Sequence, residues 1–91
     1  MSKYYVYQIK GILEKPNKQI GGFRVLVCTP LAMETVDVPP EVVDEETLAY
    51  FRFRLAVNDF LDIRKLPVPI MNRLRAPLNI WLDNFVLTEL K

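Results

Sequence analysis

The sequence predicts a mainly β domain, a small OB-like antiparallel barrel with one short helix. Three observations lead there. Two β-prone runs, "YYVYQIKGIL" and "FRVLVCT", flank the polar turn "PNKQ". The later run "FRFRLAV" alternates strictly. The elements read strand-strand-strand-helix-strand-strand, the order of a small barrel that closes to limit exposed edges.

The first run is rich in Tyr, Val and Ile, which favour a pleated, half-buried strand. By simple alternation Tyr5, Tyr7, Ile9 and Leu13 share one side, and Val6, Gln8, Lys10 and Ile12 the other. In the second run, opened by Gly21-Gly22, Phe23, Val25 and Val27 face one way and Arg24, Leu26 and Cys28 the other. The glycines permit a bulge or sharp coil where the hairpin bends. Glu34 to Val38 extends this strand or forms a short third one. Pro39-Pro40 ends it, because proline supplies no ladder donor. "EVVDEE" reads as an acidic connector with one helical turn.

Two patterns compete over "AYFRFRLAV". As a strand, Phe51, Phe53, Leu55 and Val57 fall on one face, with Tyr50, Arg52, Arg54 and Asn58 on the other. As a helix, Asp44 is an N-cap and Glu45 and Glu46 suit the first turn. Leu48, Phe51 and Leu55 then share a side, while Ala49, Phe53 and Phe60 lie well round from it. The period-2 pattern fits better and is adopted. The helical alternative gives an α+β fold, an antiparallel sheet of N- and C-terminal strands covered by a helix over residues 44–61. Further on, Ile70, Met71 and Leu74 suit a short amphipathic helix ending near Pro77. "LNIWLDNFVLTEL" is β-prone, either one strand or a hairpin turning at Asp83-Asn84.

The chain of 91 residues is read as a single domain, 1–91, since two independent cores would need more. Hydrophobic residues make up 51% and charged residues 25%, enough apolar material to pack. The net charge of +1 gives no global attraction for nucleic acid or anionic lipid. Its distribution is uneven: residues 1–33 carry about +4, residues 34–62 about −6 and residues 63–91 about +3. The sequence shows no signal peptide and no apolar run long enough to span a membrane. The expected setting is therefore soluble, intracellular and cytoplasmic. Cys28 is the single cysteine, so no internal disulfide is expected, and its apolar surroundings suggest a buried structural thiol.

The chain has no histidine, which removes the commonest general base, the Ser-His and Cys-His dyads and the usual zinc ligands. No phosphate-cradling glycine motif occurs. Asp44, Glu45 and Glu46 are consecutive and do not converge as metal ligands normally do. No enzymatic activity, catalytic residue, cofactor, metal or small-molecule substrate is expected. What remains is a mixture of bases and aromatics. On the strand reading, Tyr50, Arg52 and Arg54 form a face able to stack bases and contact phosphates. Arg24 has outward parity on the second strand, Lys15 and Lys18 sit in the first hairpin loop, and Arg73 and Arg75 on the short helix could add charge. These eight residues are the candidate partner- or nucleic-acid-binding set. Tyr4, Tyr5, Tyr7 and Trp81 are core residues or interface anchors.

The expected function is a small non-catalytic binding module, an accessory subunit of a larger protein or protein–nucleic acid assembly. The first alternative is a single-stranded nucleic-acid-binding protein, and the second a structural homo-oligomer. A protein partner or self-association is favoured because charge is nearly balanced. Apolar residues on both parities of three strands also exceed what so small a chain easily covers.

Overall fold

In the computed structural model, which describes residues 5–28 and 32–85, the two N-terminal runs pair as the sequence predicts. β1 (Tyr5–Glu14) and β2 (Ile20–Cys28) form an antiparallel hairpin. The Lys15 N–H donates to the Gln19 carbonyl at 2.8 Å, and the Lys18 N–H donates to the Lys15 carbonyl at 2.9 Å. The Asn17 side-chain oxygen accepts from the Gln19 N–H at 3.1 Å, the local bond that makes asparagine a turn residue. β3 (Met33–Val38) adds antiparallel to β2 and stops at Pro39, as expected.

A 3-10 turn over Pro40–Val42 leads into α1 (Glu45–Leu55). β4 is only Leu61–Asp62 and pairs with Ile9 and Gln8 of β1. A second 3-10 turn over Ile63–Lys65 leads into α2 (Val68–Phe85). The sheet order is β3-β2-β1-β4. β3 and β4 are its two edges and do not meet, so the sheet is open and the closed OB-like barrel is corrected. Residues that a barrel needs as strands are spent on helices, and among the described residues no strand follows Asp62. The arrangement is a four-stranded antiparallel sheet with two helices.

Residues 45–55 are helical, which overturns the strand assignment of "AYFRFRLAV". Asp44 occupies the expected N-cap position, although its side chain makes no capping bond to a backbone N–H. The Leu48 N–H donates to the Asp44 carbonyl at 3.2 Å, and the Thr47 hydroxyl donates to the Asp44 carboxylate. Thr47, Leu48 and Phe51 are buried and Leu55 is half-buried, the spacing of one helical face. At the other end the Asn58 side-chain amide donates to the Arg54 carbonyl at 2.8 Å. Phe51 packs on Phe23 of β2 with ring centroids 5.4 Å apart, seating α1 on the sheet.

The short helix expected to stop near Pro77 instead runs through it to Phe85, replacing the strand or hairpin expected after Pro77 as far as that residue. Ile70, Leu74, Leu78 and Leu82 form a buried i, i+4 stripe that crosses Pro77 without a break. Trp81 stacks on Phe85, centroids 5.0 Å apart at 22°. That continuous apolar burial outweighs the one backbone hydrogen bond proline removes. Asp83 and Asn84 are helical rather than a turn, and residues 86–91 of that expected strand lie outside the described residues.

β1 departs from simple alternation. Its register against β2 skips Tyr7 and Lys10, so two bulges each insert one residue. Val6, Ile9 and Ile12 therefore all pair with inward residues of β2: Val27, Val25 and Phe23. A third irregularity falls at Gly21, where the sequence allowed a bulge. The core is formed by Val6, Ile9, Phe23, Val25 and Val27 with Val36, Val38, Val43, Leu61, Leu66 and the buried stripes of both helices, and the half-buried Ile12 packs against it. Arg24, Met33, Thr35 and Asp37 are exposed on the opposite sheet face, with Leu26 and Cys28 half-buried beside them, so Cys28 is less buried than expected. Tyr4 and the side chains of Tyr5 and Tyr7 lie outside the described residues. Among those residues no helix is long and apolar enough to cross a membrane.

Candidate functional site

The helix redistributes the candidate set. Tyr50 and Arg54 are four residues apart and share a flank of α1, whereas Arg52 is turned away from both. Arg52 lies 3.7 Å from Glu14 at the end of β1. The single Tyr50-Arg52-Arg54 face expected of a strand is therefore not formed. Arg24 is on the open sheet face, where Nε donates to Asp37 Oδ1 at 2.7 Å and a second guanidinium nitrogen donates to Oδ2 at 3.2 Å. Arg73 joins α2 to the start of α1 by pairing with Glu46 and, at 3.8 Å, Asp44. Lys15 and Lys18 stand in the hairpin loop, and Arg75 lines a separate apolar groove with Val6, Ile63, Met71, Leu74 and Leu78. Three of the five candidate arginines thus have carboxylate partners within the chain.

Several carboxyls are held below their ordinary range. The Arg24 hydrogen bond does this to Asp37, and the Thr47 hydroxyl followed by the Arg73 charge to Asp44. Asp62 is lowered by the side chain and backbone N–H of Arg64. A carboxyl with a folded value below its unfolded one contributes stability above the unfolded carboxylate range, and loses it as pH falls through the folded value. Stability is expected to be level from neutral to about pH 5 and to decline in acid. Urea melts of the parent and Asp37→Asn across that range check it. The variant should lose less on acidification, by a small margin because the pair faces solvent.

Two surfaces among the described residues involve α1. On the outward face Ala49, Phe53, Ala56 and Val57 are exposed together, with Phe53 at 72% and Val57 at 77% of full accessibility. Ala49 and Phe53 are one turn apart on α1, and Ala56 and Val57 follow them in the turn just past its end. Glu45 and Arg52, two turns apart, stand along one flank of this stripe. The sequence placed Phe53 in the core with Phe51. The available signal was helical periodicity, which separates the two rings.

The second surface is a cleft of about 260 Å³ between the C-terminal half of α1 and the β4 region. Tyr50, Arg54, Asn58, Phe60 and Lys65 line it, with Leu61 and Leu66 behind. Tyr50 is half-buried and meets Phe51 edge-on at 6.3 Å. Phe60 is 43% exposed and carries the Lys10 ammonium 5.5 Å from its ring centroid. Neither Arg54 nor Lys65 makes a salt bridge among the described residues. Phe60 and Lys65 were missed because nothing in the sequence links the turn after α1 to Tyr50. Among the described residues no three His, Cys, Asp or Glu side chains are grouped as a metal requires.

No family model matches the chain, and no curated protein and no solved structure shows significant similarity to it.

Proposed function

We propose that the protein is a small non-catalytic interaction module, a subunit that enters an assembly through the outward face of α1. The observation that carries this is the exposed Phe53–Val57 stripe. Large apolar side chains grouped on one helical face are the usual mark of a protein interface, whereas scattered single ones are not.

The occupant is a second copy of this chain. A partner docking on the stripe needs an apolar face of its own, and α1 of a second copy, run antiparallel with the two Phe53 rings near the axis, presents one. The helix dipoles then oppose favourably. A twofold pairing of this kind is self-complementary and closes after two copies.

Sedimentation velocity over a concentration series tests the reading. The parent is expected to pass from monomer to dimer, and Phe53→Asp to remain monomeric with an unchanged circular dichroism spectrum. Val57→Asp is expected to weaken the dimer as well, whereas Glu45→Arg, about 12 Å along the helix from Phe53, should leave it unchanged. A parent that stays monomeric at the highest soluble concentration would overturn the proposal.

A further inference from the structure

We infer that the cleft between α1 and the β4 region is a binding site for a nucleotide unit, an aromatic base joined to a phosphate. It is a different surface from the Phe53–Val57 stripe and does not depend on dimer formation.

Four features converge. Tyr50 and Phe60 supply two aromatic walls, and every base has a π-face that stacks on such rings. Arg54 and Lys65 supply two cations, neither tied into a salt bridge among the described residues. This contrasts with Arg24, Arg52 and Arg73, which are each committed to a carboxylate. The one acid lining the cleft, Asp62, is engaged by Arg64 through two side-chain bonds and a backbone N–H and also feels the Lys65 charge, so Arg54 is the cation it leaves uncompensated. Lys10, 5.5 Å from the Phe60 centroid, adds a third positive charge beside the same ring.

Size narrows the ligand. A cleft of about 260 Å³ lies just under the range of small-molecule pockets, roughly 300–1,000 Å³. It suits one base with its phosphate rather than a folded nucleic acid. A purely apolar ligand would desolvate both cations and leave Arg54 without a counter-charge, and a bare anion would leave the aromatic walls unused. Asn58 already spends an amide hydrogen on the Arg54 carbonyl, which helps fix the backbone that carries the guanidinium.

The chemistry is shared by a free mononucleotide and by one nucleotide of a single strand, and the test has an arm for each. A fluorescein-labelled oligothymidylate is titrated with the full chain by anisotropy at about 50 and about 200 mM salt. Unlabelled thymidine monophosphate and inorganic phosphate serve as competitors. Binding is expected at low salt and should weaken as salt rises, because phosphate contacts release counterions. Arg54→Gln/Lys65→Gln should lower affinity at least about tenfold, and Phe60→Leu at least about fivefold. Arg52→Gln, on the other side of the helix, should leave it unchanged, with circular dichroism confirming that each variant is folded.

Competition by the mononucleotide at comparable concentration assigns the site to free nucleotides. Binding confined to the oligomer assigns it to a strand. No binding at low salt overturns the inference. So does an equal loss in Arg52→Gln and Arg54→Gln/Lys65→Gln, which marks general electrostatic attraction. Full competition by inorganic phosphate at nucleotide-like concentration also overturns it, since the rings would then play no part.

Discussion

Measured at concentrations that keep the chain monomeric, Phe51→Ala is expected to destabilise the fold by about 3–5 kcal/mol, whereas Phe53→Ala should change stability by less than about 0.5 kcal/mol. The two rings are two residues apart, and on a strand they would share a side and a fate. On α1 they point opposite ways: Phe51 is 0% exposed against Phe23 of β2, and Phe53 stands in solvent. Removing the Phe51 ring loses its transfer free energy and leaves a cavity that rigid neighbours on the sheet cannot close. For a domain whose total stability is expected near the low end of about 5–15 kcal/mol, that loss takes most of it. Phe51→Leu keeps a measurable folded state, with an expected cost of about 1–1.5 kcal/mol. Urea denaturation followed by circular dichroism gives all three values. Equal losses at the two positions would show that residues 45–55 are not helical.

The second large effect is expected at Gly22. This residue has φ of 129°, and a Cβ placed on it lies 2.2 Å from the Val38 carbonyl oxygen. The obstacle is backbone at the last residue of β3, and the following Pro39-Pro40 restricts how far it can withdraw. Gly22→Ala therefore combines a disfavoured dihedral with a main-chain clash and should cost about 3 kcal/mol or more. Its neighbours calibrate the claim. At Gly21 the added carbon meets the flexible Lys15 side chain at 3.2 Å and the Leu13 carbonyl oxygen at an ordinary 3.5 Å, and at Gly11 it meets nothing within 4 Å. Gly21→Ala should cost less than about 1 kcal/mol, and Gly11→Ala should be neutral or slightly stabilising. Urea midpoints for the three alanine variants, at unchanged slope, provide the comparison.

The hairpin and third strand were legible because their signals are local and agree: β-branched runs, an Asn-containing turn, paired glycines and a double proline. α1 was misread because its outward face is apolar. Phe53 and Val57 complete an alternating pattern that a polar outer face would have broken, and the Asp44 cap that argued for a helix was outweighed. The residues that hid the helix are also those that expose its docking stripe. Pro77 hid the length of α2, since the buried Ile70–Leu82 stripe that tolerates it is visible only once the partner surfaces are in place. Of the candidate cations, Arg24, Lys15 and Lys18 stand on the elements expected of them. Tyr50 and Arg54 stayed together by the i, i+4 rule after their strand was lost. Arg52 did not, because a period of two and a period of 3.6 send that position to opposite sides.

The bulges at Tyr7 and Lys10 bracket Gln8 and Ile9, the two residues of β1 that accept β4. Each bulge bends the strand and interrupts its regular row of outward donors and acceptors. The β4 side of the sheet thus offers a stranger only a two-residue foothold, already taken. Among the described residues the six-residue β3 is the one long margin left, and it carries Glu34 and Asp37. If partly folded chains ever add strand to strand, the growth should be one-sided, starting at β3 and sensitive to neutralising those two acids. A molecule with one guarded margin and one charged margin can terminate such a stack but has difficulty extending it.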